Sequence, residues 1–162
     1  MDGRMLIPIG VPEKAAAQEI MNCNELTSRF GLVLTREEAA ALAQTRGEAL
    51  KRAGRVEFGG GAMQALITAF CDSPYITQAE YADTLCELAR IFYDFKTDSM
   101  DEVDDAEAIA MMRKVFDEWR GSVEMVESRM EAFARNVRYG RDAEDSGEDN
   151  EDEDTEEDEA DE

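Results

Sequence analysis

Histidine is absent from this 162-residue chain, which removes imidazole, the usual neutral-pH base, and with it the mixed Cys/His zinc sites. Only three cysteines occur, Cys23, Cys71 and Cys86, and no two have CxxC spacing. An odd, scattered set is not a disulfide framework, and it points to a reducing compartment. Long apolar runs are missing as well. The opening "MDGRMLIPIGVPEK" is too short in its apolar part for a signal peptide, and no stretch approaches a membrane span. The expectation is a soluble, cytoplasmic protein without a membrane partner. Basic residues are few, 17 Lys and Arg against 39 Asp and Glu, for a net charge of -22.

That charge is unevenly placed. Residues 141–162, "RDAEDSGEDNEDEDTEEDEADE", carry 15 acids and one arginine, leaving 24 acids and 16 bases, a net of -8, in the other 140 residues. The segment has almost nothing apolar to bury, so it cannot offset the entropy of ordering its backbone. It is expected to be a disordered acidic tail, a solvating arm or one that meets a basic partner. Binding to nucleic-acid phosphates is disfavoured by such a field. The organisation expected is an extended N-terminal segment at 1–11, one helical domain at 12–140, and the tail at 141–162.

What is present is helical punctuation. Pro12 suits a first helical turn, and Gly31 closes that element after Phe30, with Ile20, Cys23, Leu26 or Thr27, and Phe30 as its stripe. Thr35 and Glu38 form a capping-box pattern ahead of Leu42, Ala49, Leu50 and Ala53, and Gly54 ends the run. The pattern recurs as Thr77/Glu80, Ser99/Glu102 and Ser128/Glu131. Tyr81, Leu85, Leu88, Phe92 and Phe95 step by four and three along one helical face. Ile109, Met112, Phe116 and Trp119 precede Gly121, and a last helix at 122–138 carries Val123, Val126, Met130, Phe133 and Val137, with Ser128/Glu131 raising a break near Glu127. The fold class is all-α, five or six helices, with short extended pieces at Met5–Ile9 and Arg55–Phe58.

The stretch "GRVEFGGGAMQALITAFCDSPY", Gly54 to Tyr75, differs from its surroundings. From Ala62 to Cys71 only Gln64 and Thr68 are polar, so a short helix apolar nearly all round is expected at the centre of the fold. Ahead of it, Val56 and Phe58 alternate with Arg55 and Glu57; the expectation is that the apolar pair docks inward and the charges cancel outside. Three glycines before a helix also match a phosphate cradle, but GxxxxGK[ST] is absent, with Gln64 and no Lys–Ser/Thr pair after the glycines, and GxGxxG is absent because no further glycine follows Gly59 and Gly61 within the turn. The preferred reading is a bend that lets backbones approach. The alternative is an anion or small-ligand site built from Arg55, Gly59, Gly60 and Gly61, with Asp72 and Tyr75.

Other chemistry is weaker. "DSMDEVDDAE", Asp98–Glu107, has Met100 at the third position and no glycine at the sixth, so it is no EF-hand loop; acids at a helix start suit its dipole. Cys71 lies near a helix C-terminus, which disfavours the thiolate. No catalytic residue, metal site or cofactor is assigned.

The glycine block, with "IMNCNELTSRFGLVLTREEA" before it and "YADTLCELARIFYDFKTDSMDEV" after it, resembles an uncharacterised bacterial family, short cytosolic proteins of clostridia-like bacteria catalogued as a domain of unknown function. The resemblance runs from about Pro12 to Tyr139 and leaves the acidic tail outside; it implies the domain limits and no activity. The function expected is a non-enzymatic helical module that binds a protein partner, with the small-ligand domain as alternative.

Overall fold

The computed structural model describes residues 14–58 and 60–139; the expected N-terminal extended segment, Pro12 and the acidic tail lie outside them. Every regular element among these residues is helical: α1 at 14–22, α2 Asn24–Thr27 running into a 3₁₀ turn Ser28–Phe30, α3 Arg36–Ala53, α4 Gly61–Phe70, a second 3₁₀ turn Gln78–Glu80, α5 Tyr81–Asp98, α6 Asp105–Glu118 and α7 Val123–Arg138. Among the described residues no helix is long and apolar enough to cross a membrane.

Four connections end a helix by one device. A residue with positive φ lets the following N–H reach back to the carbonyl five residues earlier: Leu32 to Thr27 (3.1 Å), Arg55 to Leu50 (3.0 Å), Asp101 to Lys96 (2.8 Å) and Gly121 to Phe116 (2.7 Å). Gly31 (φ 80°) and Gly54 (φ 67°) supply the first two at no steric cost. The others place Met100 (φ 58°) and Arg120 (φ 55°) in the left-handed region, where a residue with a Cβ costs about 1–2 kcal/mol.

Between α2 and α3 the chain is extended, with Leu32 and Leu34 buried and Val33 outside. Its backbone is paired by side-chain amides in place of a neighbouring strand. Asn24 accepts from the Leu34 N–H (2.9 Å) and donates to the Leu34 carbonyl (3.0 Å). Gln78 does the same for Val33, at 2.8 and 2.9 Å. The backbone groups of this extended segment are thereby satisfied without a sheet.

Helix α5 has the most neighbours, lying against α3, α4, α6 and α7. Its expected face, Tyr81, Leu85, Leu88, Phe92 and Phe95, is buried, and Ala89, Ile91 and Tyr93 are buried too. Each large side chain so placed contributes about 1.5–3 kcal/mol of transfer free energy. Helix α4 packs on α6, α5 and α2, with Phe70 edge-on to Phe116 at 5.3 Å. Ala62, Met63, Leu66, Ile67 and Phe70 are buried, whereas Ala65 is exposed beside Gln64 and Thr68. Enclosure of α4 is thus one-sided, and alanine makes the open side cheap because it adds little apolar area.

The start signals divide. Thr35 forms the full box, accepting from the Glu38 N–H (3.0 Å) while Glu38 accepts from the Thr35 N–H (2.9 Å). Thr77 begins the 3₁₀ turn before α5 without a side-chain bond. Ser99 and Glu102 start no helix: Ser99 caps the end of α5, and α6 begins after Asp104. Ser128 and Glu131 lie within an unbroken α7, whose start is Ser122, accepting from the Met125 N–H at 3.2 Å. A Ser-x-x-Glu spacing also arises on any exposed helix face, where residues three apart are neighbours. Phe30 and Trp119 end their stripes exposed, Trp119 under the Arg129 guanidinium at 5.8 Å, and Phe133, at the surface, stacks on buried Phe95 at 6.0 Å.

Thr35→Ala is expected to lower stability by about 1 kcal/mol, and Ser128→Ala to change it by less than about 0.5 kcal/mol; urea denaturation of the two variants checks the assignment of the boxes.

Candidate functional site

The loop between α3 and α4 alternates as the sequence predicts, but with the opposite polarity. The Glu57 and Arg55 side chains are 7% and 22% exposed, while Val56 is 77% and Phe58 86% exposed. The expected inward docking of Val56 and Phe58 is therefore overturned. The reason is a set of hydrogen-bond donors that converge beneath the loop and require a carboxylate.

Glu57 Oε1 accepts from Arg46 Nε (3.1 Å), from the Tyr93 hydroxyl (2.8 Å) and from the Ala62 N–H at the front of α4 (3.2 Å); Oε2 accepts from Arg55 Nε (2.8 Å). Arg46 stands on α3, its side chain 6% exposed. Its Nη2 is buried without a hydrogen-bond partner among the described residues. Burial, and then the charge of Glu57, push the Tyr93 phenol well above its ordinary range, so it stays a donor.

The network continues outward. Arg55 Nη2 donates to Asp105 (2.6 Å), and Arg55 Nη1 stands 3.8 Å from Asp101. Buried Lys96 reaches Asp101 and Asp105, both at 2.9 Å, and the Val103 carbonyl. Burial alone would raise the Asp105 carboxyl, but hydrogen bonds from Lys96 and Arg55 outweigh it and hold the group below its ordinary value of 3.8.

Gly61 owes its identity to this arrangement. It has φ 54°, and a Cβ there would stand 2.2 Å from Glu57 Oε1. At Gly60 a Cβ would meet Gln64 at 3.0 Å and the Glu19 Cβ of α1 at 3.3 Å. Gly59 lies outside the described residues.

Beside the loop a cleft of about 320 Å³ opens, lined by Ala53, Gly54, Arg55, Lys96, Met100 and Asp101 among others. Met100, on its rim, is half exposed, and both Met100 and Asp101 have φ 58°. Two adjacent left-handed residues with side chains store strain, which concentrates at binding sites. Asp98, Asp101, Glu102 and Asp104 are exposed on the same turn. Among the described residues no group of three or more Cys, Asp or Glu side chains is arranged to hold a metal ion.

Of the residues singled out in the sequence, Arg55, Gly60 and Gly61 come together, joined by Arg46, Glu57 and Tyr93. Asp72 and Tyr75 stand past the other end of α4, a ten-residue helix about 15 Å long. Asp72 accepts from Arg113 Nη1 (2.6 Å), which also donates to the Ala69 carbonyl (2.6 Å), while Arg113 Nε donates to Asp117 (2.7 Å). Tyr75 is partly exposed against Gly121. Cys71 is buried, and burial, then Asp72, raise its thiol, which works against a nucleophilic role. Arg46 carried an overlooked signal: it falls on the buried stripe Ala39, Leu42, Ala43, Ala49, where a charge needs a partner.

Fold and site together define a small all-helical domain in which a buried carboxylate pins an inverted loop over a helix N-terminus. The chain belongs to the family of unknown function DUF6323, which it matches over residues 19–143, a span holding the whole network. No curated protein and no solved structure matches the chain.

Glu57→Gln is expected to destabilise the domain by about 3–5 kcal/mol, since a buried guanidinium loses its counter-charge, and Arg46→Met combined with it to recover much of that loss; urea midpoints of the single and double variants measure both. Asp105 is depressed in the folded state, so its contribution is complete above the unfolded value and lost as pH falls through the folded one. The stability gap between wild type and Asp105→Asn is therefore expected to be constant near neutrality and to shrink below about pH 4, followed by denaturation across the acid range.

Proposed function

We propose that this domain is a non-catalytic protein-interaction module of the bacterial cytoplasm, and that Val56, Phe58 and the neighbouring rim at Met100 are its docking surface. The observation that carries this reading is the inverted loop. Folding alone favours apolar side chains inside and charges outside, yet here a phenylalanine 86% exposed and a valine 77% exposed are held out while a glutamate is buried beneath them. Burying such a pair on a partner would gain about 1.5–3 kcal/mol per side chain. With the Glu57 carboxylate seated, Glu57 and Arg55 anchor the loop, and in that state it has little freedom left to lose on binding.

The rim chemistry selects the partner. Asp98, Asp101, Glu102 and Asp104 are exposed on the segment that carries Met100, and Met100 and Asp101 share a cleft with Gly54 and Arg55 of the loop, so the occupant this surface suits is an amphipathic segment with an apolar face and Lys or Arg at its edges. A second copy of the chain would bring a like-charged rim, and the net charge of -22 opposes that pairing. Cys23, Cys71 and Cys86 are all unpaired, in keeping with a reducing compartment.

Val56→Ser combined with Phe58→Ser is expected to leave stability within about 0.5 kcal/mol and to abolish binding of a Lys/Arg-edged amphipathic helical peptide, followed by fluorescence anisotropy, with wild-type affinity falling as salt is added. Equal binding by wild type and double variant, or affinity indifferent to salt, overturns the proposal. A dimer in light scattering that the double variant loses would assign the surface to a second copy instead.

A further inference from the structure

We propose a second site, on the inner side of the same loop and argued from different atoms: the seat Glu57 fills is a binding site for a phosphate-type oxyanion, with the Glu57 carboxylate as its built-in, exchangeable occupant. Withdraw that carboxylate and five donors converge on one point, namely Arg46 Nε and Nη2, Arg55 Nε, the Tyr93 hydroxyl and the Ala62 N–H. Three of the four donors now engaged crowd onto a single oxygen, Oε1. The fifth, Arg46 Nη2, is buried, has no partner among the described residues and stands 3.0 Å from where a Cβ on Gly61 would lie. A carboxylate offers two oxygens to these five donors, whereas inorganic phosphate offers four and a phosphomonoester three terminal ones, so the crowding on one oxygen is relieved and lone pairs remain for Arg46 Nη2.

Charge and position agree with that ligand. The seat lies at the N-terminus of the ten-residue helix α4, where free N–H groups and the helix dipole favour an anion. Two guanidiniums face it, a pairing suited to planar recognition of phosphate oxygens. Exchange is also mechanically simple. Arg55 stays anchored through Asp105 and Asp101 when Glu57 leaves. Val56 and Phe58 are already exposed, so the loop swings out without uncovering their apolar area. An arriving dianion takes over the charge balance of Arg46, which otherwise would be left buried and unpaired.

The test is a titration of the wild-type chain with inorganic phosphate at constant ionic strength, followed by amide NMR. Saturable shifts of the Gly61 and Ala62 resonances are expected. Glu57→Ala, which vacates the seat, is expected to tighten phosphate binding at least about tenfold, and Arg46→Met added to it to abolish binding. No saturable shift at those two amides in the wild type overturns the proposal, whatever the variants do, and that measurement decides should Glu57→Ala fail to fold. Phosphate binding that persists in Arg46→Met/Glu57→Ala also overturns it, as does acetate binding as tightly as phosphate. Glycerol phosphate run in parallel separates the sources: tighter binding than inorganic phosphate assigns a phosphomonoester, and equal or weaker binding the free ion.

Discussion

A carboxylate placed out of water must be fully satisfied or it destabilises the fold by several kcal/mol, and in this protein the carboxylate of Glu57 joins four separately coded parts of the chain. Helix α3 reaches it through Arg46, the loop through Arg55, α4 through the Ala62 N–H and α5 through Tyr93. Apolar contact does not hold the loop, because its two apolar side chains point away. The loop's path, the outward aim of Phe58 and the need for glycine at position 61 follow from satisfying this one group.

Around that point the structure has two kinds of cohesion. The core is apolar and centred on α5, whose buried face touches helices before and after it in sequence. Helices are also tied by charge-assisted bonds: Arg113 of α6 reaches the end of α4 through Asp72 and the Ala69 carbonyl and is braced by Asp117 of its own helix. Arg90 joins α5 to α7 through Glu127, and bonds to Glu127 and Glu87 raise its already high pKa. Tyr81 shows the contrast, a phenol whose hydroxyl is buried without a well-formed hydrogen bond among the described residues and whose burial, against a weaker opposing effect of Thr27, pushes it up to about 12.

Much of the helical layout was legible because its signals are local. Periods of three and four along Tyr81–Phe95 and the reciprocal bonds of Thr35 and Glu38 need only neighbours within a few residues. Gly31, Gly54 and Gly121 likewise mark real helix ends, since positive φ is cheap only for glycine. Ser99/Glu102 and Ser128/Glu131 misled because the spacing of a cap is also the spacing of an ordinary helix face. The end of α5 was hidden for the opposite reason: Met100 and Asp101 adopt positive φ without being glycine, a strain that surrounding bonds from Lys96 maintain.

The site was half visible. Arg55, Gly60 and Gly61 stood out by composition, and they do meet; Asp72 and Tyr75 stood beside them in sequence and belong to the other end of α4. Alternation along Arg55–Phe58 was written in the chain, since successive side chains of an extended segment must point to opposite sides. Which side faced inward was not, because that depended on Arg46 and Tyr93, eleven residues before Glu57 and 36 after it. The sequence by itself thus determined where helices form and that the loop has two unlike faces, both consequences of short-range geometry. Only the tertiary structure decided that charge faces in and phenylalanine faces out, because only there do donors from distant helices converge on one point.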